Sequence, residues 1–535
     1  MYLVQITCHP DKLSRYIGAE LSKMVEDVES AISADRASRQ TRPRHMGRIH
    51  AKTQLGPACL YTFYYHLPFL RNHTASSRTP HIHAPTSQVH PFQYPIEASK
   101  PGEQSDTMDK PILILGAGTF GLSTAYHLAK AGYKNITVLE KSRTMPPEQS
   151  AGNDLNKIIR AEYEDPFYTD IALKAMQAWK QPPFKPYYHE VGYLLTVSEK
   201  ASEKAKETLR KSRQSVAAHP AWDSLTKAID SRDDIRSVAP VFDGPMAWTG
   251  YFNKFAGYAE AGGALKGLYE ECLRLGVKIK LGEAAERLVF AGNGTACRGA
   301  IGSSGLTYTA EMTVVAMGAS VATVLPSIGS QISAVGFPVA HVQLTAEETA
   351  RLRGIPVTYA RDIGFFFEPD GKTNLLKLCN TGSAYTNFVT SPGTNGGGKL
   401  SIAPRAAEDC AFISDADVEA IRQLLRETLP SLADRPLVKS SICWCADSTD
   451  TEFIVDHVPG HEGLIVVSGD SGHGFKMLPI VGEWVLELLQ KGAQDTERWK
   501  WKSVKDGQEH DVSWRISVKR DLREVRPSLP VGPIL

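Results

Sequence analysis

The segment that most constrains the fold begins at Pro111. Pro111-Ile-Leu-Ile-Leu115 is a short apolar run of buried-strand type that leads directly into Gly116-Ala-Gly-Thr-Phe-Gly121. A small-residue helix is predicted over 122–131. After Gly132-Tyr133 a second strand, Ile136-Thr-Val-Leu139, ends on Glu140. Each part has a physical task in a Rossmann-type half. Gly116 permits the tight turn, Gly118 lets the backbone approach a pyrophosphate, and Gly121 lets helix pack on strand. The helix start, at Thr119 and Phe120, offers free N–H groups and a positive dipole end to phosphates. Glu140 is suited to accept hydrogen bonds from ribose hydroxyls, which disfavours a 2′-phosphate and so NADP. FAD and NAD both fit this segment.

The rest of the chain narrows the setting. Lys plus Arg number 60 and Asp plus Glu 59, a balance with no pull toward nucleic acid or an anionic membrane. The apolar fraction of 42% suffices for large cores, and no apolar run is long enough to span a bilayer. The eight cysteines are scattered, and Cys443-Trp-Cys445 matches neither a zinc spacing nor a redox pair. A reduced intracellular chain without a metal is expected. Eight of the sixteen histidines fall in the first hundred residues, His81 and His83 among them. A short amphipathic helix is predicted over 17–32. Residues 36–107 show no sustained apolar period, so they cannot bury enough surface to offset the entropy of ordering them. The whole of 1–107 is expected to be a disordered extension, with ordered structure starting near Met108.

Five segments in order resemble the sarcosine oxidase and amadoriase (fructosyl amino-acid oxidase) group of D-amino-acid-oxidase-like flavoproteins. They are Gly116-Ala-Gly-Thr-Phe-Gly-Leu-Ser-Thr-Ala125, Ala151-Gly-Asn-Asp-Leu-Asn-Lys-Ile-Ile-Arg160, Gly364-Phe-Phe-Phe-Glu-Pro369 with Leu376-Lys-Leu378, Ile442-Cys-Trp-Cys-Ala-Asp447 with Phe453-Ile-Val-Asp456, and Ser471-Gly-His-Gly-Phe-Lys476. The resemblance implies an α/β fold (α+β overall). A Rossmann-type FAD-binding domain, at 108–190, 255–335 and 440–492, would interleave with a mostly antiparallel-sheet substrate domain at 191–254 and 336–439. Residues 493–535 are left as a C-terminal tail. Consistent with this, Val314-Val-Ala-Met-Gly-Ala319 reads as a strand running into a small-residue turn. Ser414-Asp-Ala-Asp417 reads as a capping box before the apolar stripe Val418, Ile421, Leu424 and Leu425.

The same resemblance assigns roles. Cys443, the first cysteine of its segment, would carry the flavin by a thioether, with Cys445 on the same strand face as the lesser candidate. Asn156, Lys157, Gly472, Gly474 and Phe475 would contact the cofactor. Arg160 and Lys476 would hold a substrate carboxylate, the one as a planar fork and the other as a point charge. Lys377, a lone cation in an apolar strand, would speed reaction with O2 by stabilising the superoxide that electron transfer creates. His189 reads as structural. Amadoriases carry an acid shortly after the mid-chain lysine where this chain has Thr381, which counts against deglycation of fructosyl amino acids.

The reading that follows is an FAD-dependent oxidase of the C–N bond of a secondary or N-alkylated amino acid, yielding an imine and hydrogen peroxide. Its partners are a small amine or amino acid and O2, with no nucleic acid and no membrane. Two alternatives stand beside it: a tailoring oxidoreductase whose imine is trapped to close a ring, and a flavin-binding scaffold without turnover. The chain ends Val531-Gly-Pro-Ile-Leu535 rather than Ser-Lys-Leu, so a cytoplasmic and not a peroxisomal location is expected.

Overall fold

A computed structural model describes residues 108–526 except 223, 293, 391–398 and 503–516, together with the strands Leu3–Ile6 and Tyr61–Tyr64. Those two strands pair antiparallel. The chain divides into two units, Met1–Pro95 and Ile96–Leu535. Both strands fall within the stretch expected to be disordered to 107; the rest of that stretch, with the helix expected over 17–32, His81 and His83, and the last five residues lie outside the described residues.

The apolar run after Pro111 becomes the strand Ile112–Leu115, with all four residues buried. A strand apolar at every position belongs inside a parallel sheet covered on both faces. It lies third in a six-stranded sheet ordered Lys278–Leu281, Ile136–Glu140, Ile112–Leu115, Met312–Val315, Leu464–Ser468, Ile454–His457. Every pairing is parallel except the last. The helix Thr119–Lys130 follows the glycine turn and packs against the helices Ala261–Arg274 and Val481–Lys491. Its contact with the closing helix is close: a Cβ on Gly482 would stand 2.1 Å from the Ser123 carbonyl oxygen.

The second layer is a ten-stranded, mostly antiparallel sheet. Its path runs Val518–Asp521, Ser383–Thr386, Ile332–Gln343, Leu375–Asn380, Gly364–Phe366, Val357–Ala360, Tyr193–Ser198, Trp248–Asn253, Thr226–Ile229, and Leu437–Ser448 also pairs with Ile332–Gln343. The strands Ile332–Gln343 and Leu437–Ser448 run across the boundaries expected at 335/336 and 439/440. Register places Cys443 opposite Phe337 and Lys377 opposite His341. The helix Asp415–Thr428 covers this sheet with Ile421, Leu424 and Leu425 buried, and its capping box between Ser414 and Asp417 is complete. The Rossmann-type sheet plus a mostly antiparallel one is the architecture expected from the sequence. No helix among the described residues is long and apolar enough to cross a membrane.

Candidate active site

The glycine turn opens a cavity of about 1450 Å³ that continues across the face of the ten-stranded sheet. Small-molecule pockets usually measure about 300–1000 Å³, so this one has room for a dinucleotide and a substrate together. At its start Gly116 sits at φ +100°, where only glycine is unstrained, and a Cβ on Gly121 would stand 1.8 Å from the Gly116 carbonyl oxygen. Gly118 differs: its nearest protein neighbour to a built Cβ is the Ser150 hydroxyl at 3.2 Å. The space beside it is cavity, which is where a pyrophosphate would press. The helix that begins at Thr119 has no side-chain cap and no acid in its first turn, so its N–H groups face the cavity without a competing carboxylate. Glu140 is held in place by the backbone N–H groups of Ala117 and Ser142, each donating to one carboxylate oxygen at 2.8 Å. Carboxylate oxygens have further acceptor capacity, and Glu140 lines the cavity. The residues present therefore fit an ADP-type half of FAD.

Further along, a charge cluster stands on the sheet wall. Lys377 is 1% exposed and donates to Asp154 Oδ2 at 2.5 Å and to the Asn156 carbonyl at 2.7 Å. Lys157 pairs with the same Asp154 oxygen at 2.9 Å and lies 3.5 Å from Cys443 Sγ. Burial pushes the Asp154 carboxyl up, but Lys157 and Lys377 outweigh it and bring it down to about 2. Burial likewise opposes the charge on Lys157, and Asp154 reverses that and raises it. Two ammonium groups against one carboxylate leave the cluster with one net positive charge.

A second cluster forms around Tyr163. Lys476 donates to the Tyr163 hydroxyl at 2.8 Å and to the His473 carbonyl at 3.2 Å. Arg160 donates to the Glu162 carbonyl and stacks over the Tyr163 and Tyr193 rings, 5.1 and 5.9 Å from their centroids. Burial, and then the Arg160 charge, press Lys476 well below the ordinary lysine range, with Glu162 opposing. Burial raises the Glu162 carboxyl; its Oε1 accepts from Asn253 at 2.8 Å while Oε2 has no hydrogen-bond partner among the described residues.

Thirteen of the sequence-assigned residues line this one cavity: Gly116, Gly118, Thr119, Phe120, Glu140, Lys157, Arg160, Lys377, Cys443, Gly472, Gly474, Phe475 and Lys476. Gly121 lies beneath the turn, and Asn156 reaches the cluster only through its carbonyl. Cys445 lines the cavity as well, with its thiol on the Val335 carbonyl at 3.4 Å. His189 is bound to Glu260 at 3.0 Å and stacked on Tyr258. The Thr381 hydroxyl donates to the Arg361 carbonyl at 3.0 Å. Sequence reasoning missed Asp154, Tyr163 and His473. The first stands three residues before Lys157, an ion-pair spacing on a helix but not on the loop it occupies, so nothing local marked it. Asp154→Asn removes the carboxylate shared by buried Lys377 and half-buried Lys157. Breaking a buried pair in this way costs about 3–5 kcal/mol. The thermal midpoint is expected to fall by several degrees, and an unchanged midpoint in calorimetry would contradict the pairing.

Comparison with known proteins agrees with this geometry. Residues 111–488 match the family model described as FAD dependent oxidoreductase. L-saccharopine oxidase of Schizosaccharomyces pombe is 32% identical over 429 residues, covering 76% of this chain and 96% of that protein. Human peroxisomal sarcosine oxidase is 25% identical over 394 residues, covering 72% of this chain and 93% of that one. Among solved structures, the deglycating fructosamine oxidase of Aspergillus fumigatus (Amadoriase II) in complex with FSA superposes with a TM-score of 0.71 at 32% identity, covering 78% of this chain and 97% of that one. The glycine turn, the acid that ends the second strand and the match across 111–488 make this chain a member of the FAD-dependent oxidoreductase family.

Proposed function

We propose that the chain oxidises the C–N bond of a secondary or N-alkylated amino acid, giving an imine and passing the electrons to O2 as hydrogen peroxide. The observation that carries this reading is the convergence of two basic side chains, half-buried Arg160 and buried Lys476, on Tyr163 inside the cavity that starts at the dinucleotide turn. Bound FAD supplies the acceptor for a hydride equivalent from the carbon beside nitrogen. Gly116, Gly118 and the helix start at Thr119 would hold its pyrophosphate and Glu140 its ribose. Arg160 and Lys476 would bind and orient the substrate carboxylate, and Lys377 would place positive charge where O2 is reduced. The names of the relatives, an L-saccharopine oxidase and a sarcosine oxidase, support a secondary amine as the reacting group. The test is oxygen uptake with peroxide detection against N-methyl, cyclic, N-carboxyalkyl and glycated amino acids. Turnover only of primary amines, or no peroxide with any secondary amine, would overturn the reading.

Cys443 is the attachment point for the flavin in this proposal. Its sulfur faces the cavity with the Lys157 ammonium 3.5 Å away, a cation placed to stabilise negative charge on sulfur as the thioether forms. Acid-precipitated protein is expected to stay yellow, and Cys443→Ala to release its flavin to the supernatant. A wild-type pellet that loses all its colour would rule out the linkage.

A further inference from the structure

The hydrogen bonds around Lys476 have a direction that can be deduced atom by atom. A carbonyl oxygen only accepts, so the 3.0 Å contact between His473 Nε2 and the Thr451 carbonyl requires a proton on Nε2. In a neutral imidazole Nδ1 then carries the lone pair. The Tyr163 hydroxyl, 3.2 Å from Nδ1, must donate to it. That leaves the phenol oxygen to accept from Lys476 at 2.8 Å, and the His473 carbonyl accepts a second Lys476 N–H at 3.2 Å. The lysine backbone is pinned as well, since Trp179 Nε1 donates to its carbonyl at 2.8 Å.

Both side-chain contacts of Lys476 therefore consume N–H groups, and neither uses its lone pair. An uncharged amine placed here has both hydrogens satisfied and its lone pair left over. An ammonium in the same place has a third N–H left over. The same frame accepts either state without rearrangement. The charged and titratable groups around the nitrogen are Arg160, Glu162 and Tyr163 from the segment after the Asn156–Ile159 strand and His473 from its own loop. Burial and Arg160 favour the uncharged amine in the ligand-free site, with Glu162 opposing.

Resting on the carboxylate-clamp reading above, we propose that Lys476 is the proton acceptor for the substrate's ammonium group. An N-alkyl amino acid arrives as a carboxylate and a secondary ammonium, whereas its oxidation requires the nitrogen lone pair. As the carboxylate settles between Arg160 and Lys476, the proton passes from substrate nitrogen to Lys476 Nζ. One N–H bond breaks at the substrate and one forms at the lysine. No electron changes hands and no proton comes from solvent. The products are the uncharged amine and a lysine ammonium whose third N–H donates to the substrate carboxylate. A single transfer thus prepares the amine for oxidation and completes the clamp.

The test uses a ligand that has the carboxylate but no proton to give. Methylthioacetate is titrated into the flavin-loaded enzyme in weakly buffered solution at neutral pH. Binding is followed by flavin absorbance and proton exchange by an indicator dye. Lys476 must then draw its proton from solvent, so about one proton taken up per site is expected, with affinity weakening toward about tenfold per pH unit as the pH rises. Lys476→Arg, charged at every accessible pH, is expected to bind the same ligand with no uptake and a flat pH dependence. Wild-type binding without proton uptake would overturn this proposal and leave the clamp standing. Uptake that persists in Lys476→Arg would assign the proton to another group and also overturn it. Failure of the wild type to bind methylthioacetate at all would remove the clamp and the proposal together.

Discussion

Lys377→Met is expected to slow reoxidation of the reduced flavin by about two to three orders of magnitude while anaerobic flavin reduction falls far less. The size follows from what one well-placed charge or donor contributes at a site of developing charge, roughly 3–4 kcal/mol. Lys377 is suited to that task because it is 1% exposed, and a charge screened from water acts at nearly full strength. It also does not lose its effect to its partner. Asp154 is shared between Lys377 and Lys157, so the cluster stays positive, and the carboxyl, brought down to about 2, holds that balance at any ordinary pH. Met keeps the apolar stem against the Phe367 ring, 4.9 Å from the ammonium, and removes the charge together with its hydrogen bonds to Asp154 and the Asn156 carbonyl. Stopped-flow traces in which both half-reactions fall equally would mark Lys377 as a structural partner of Asp154.

The second large effect concerns substrate charge. An amino acid is expected to be oxidised at least about a hundredfold faster, in kcat/KM, than its amide or its decarboxylated amine. Two charge-assisted contacts at about 1.5–3 kcal/mol each would be lost with the carboxylate. Orientation would be lost with them, since the carboxylate fixes which C–H can react. Lys476→Met is expected to erase most of the preference, lowering activity on the acid more than on the amide, whose less basic nitrogen depends less on a proton acceptor. The neutral substitution suits the place because the lysine sits 5% exposed with its nitrogen 5.2 Å from the Tyr163 ring centroid, where a methionine meets an aromatic face. Equal wild-type activity on a matched acid and amide would remove the clamp and favour an amine substrate without a carboxylate.

The parts of this site that could be read from sequence are those whose chemistry is local. The turn from Gly116 to Gly121 announces itself because a strand, three glycines and a helix must follow one another in that order, and the acid on Glu140 closes the pattern. The helix Asp415–Thr428 was visible in its capping box and its apolar stripe, both of which the structure contains. Lys377 was visible only as a question, since a lone lysine in an apolar strand either faces water or is buried for a reason; its contacts with Asp154 and the Asn156 carbonyl decide it. The residues that organise the charge could not be read. Asp154 acquires meaning only when the strand Leu375–Asn380 delivers Lys377 to it from more than two hundred positions away. Tyr163 and His473 are joined across 310 residues, and their order of donation depends on the Thr451 carbonyl. The long strands Ile332–Gln343 and Leu437–Ser448 show the same limit at the level of domains. Each crosses an expected boundary while staying paired with the other in one sheet, so hydropathy gives no boundary there.

The central claim is that this flavoprotein takes electrons from an N-alkyl amino acid and gives them to O2. The most direct measurement mixes the flavin-loaded enzyme with excess saccharopine, sarcosine and N-methyl amino acids in turn under anaerobic conditions, and then admits oxygen. At least one of them is expected to bleach the flavin fully, with colour returning on aeration and about one hydrogen peroxide formed per flavin reoxidised. A flavin that stays oxidised with every secondary amine, or that bleaches and returns its electrons without forming peroxide, would contradict it.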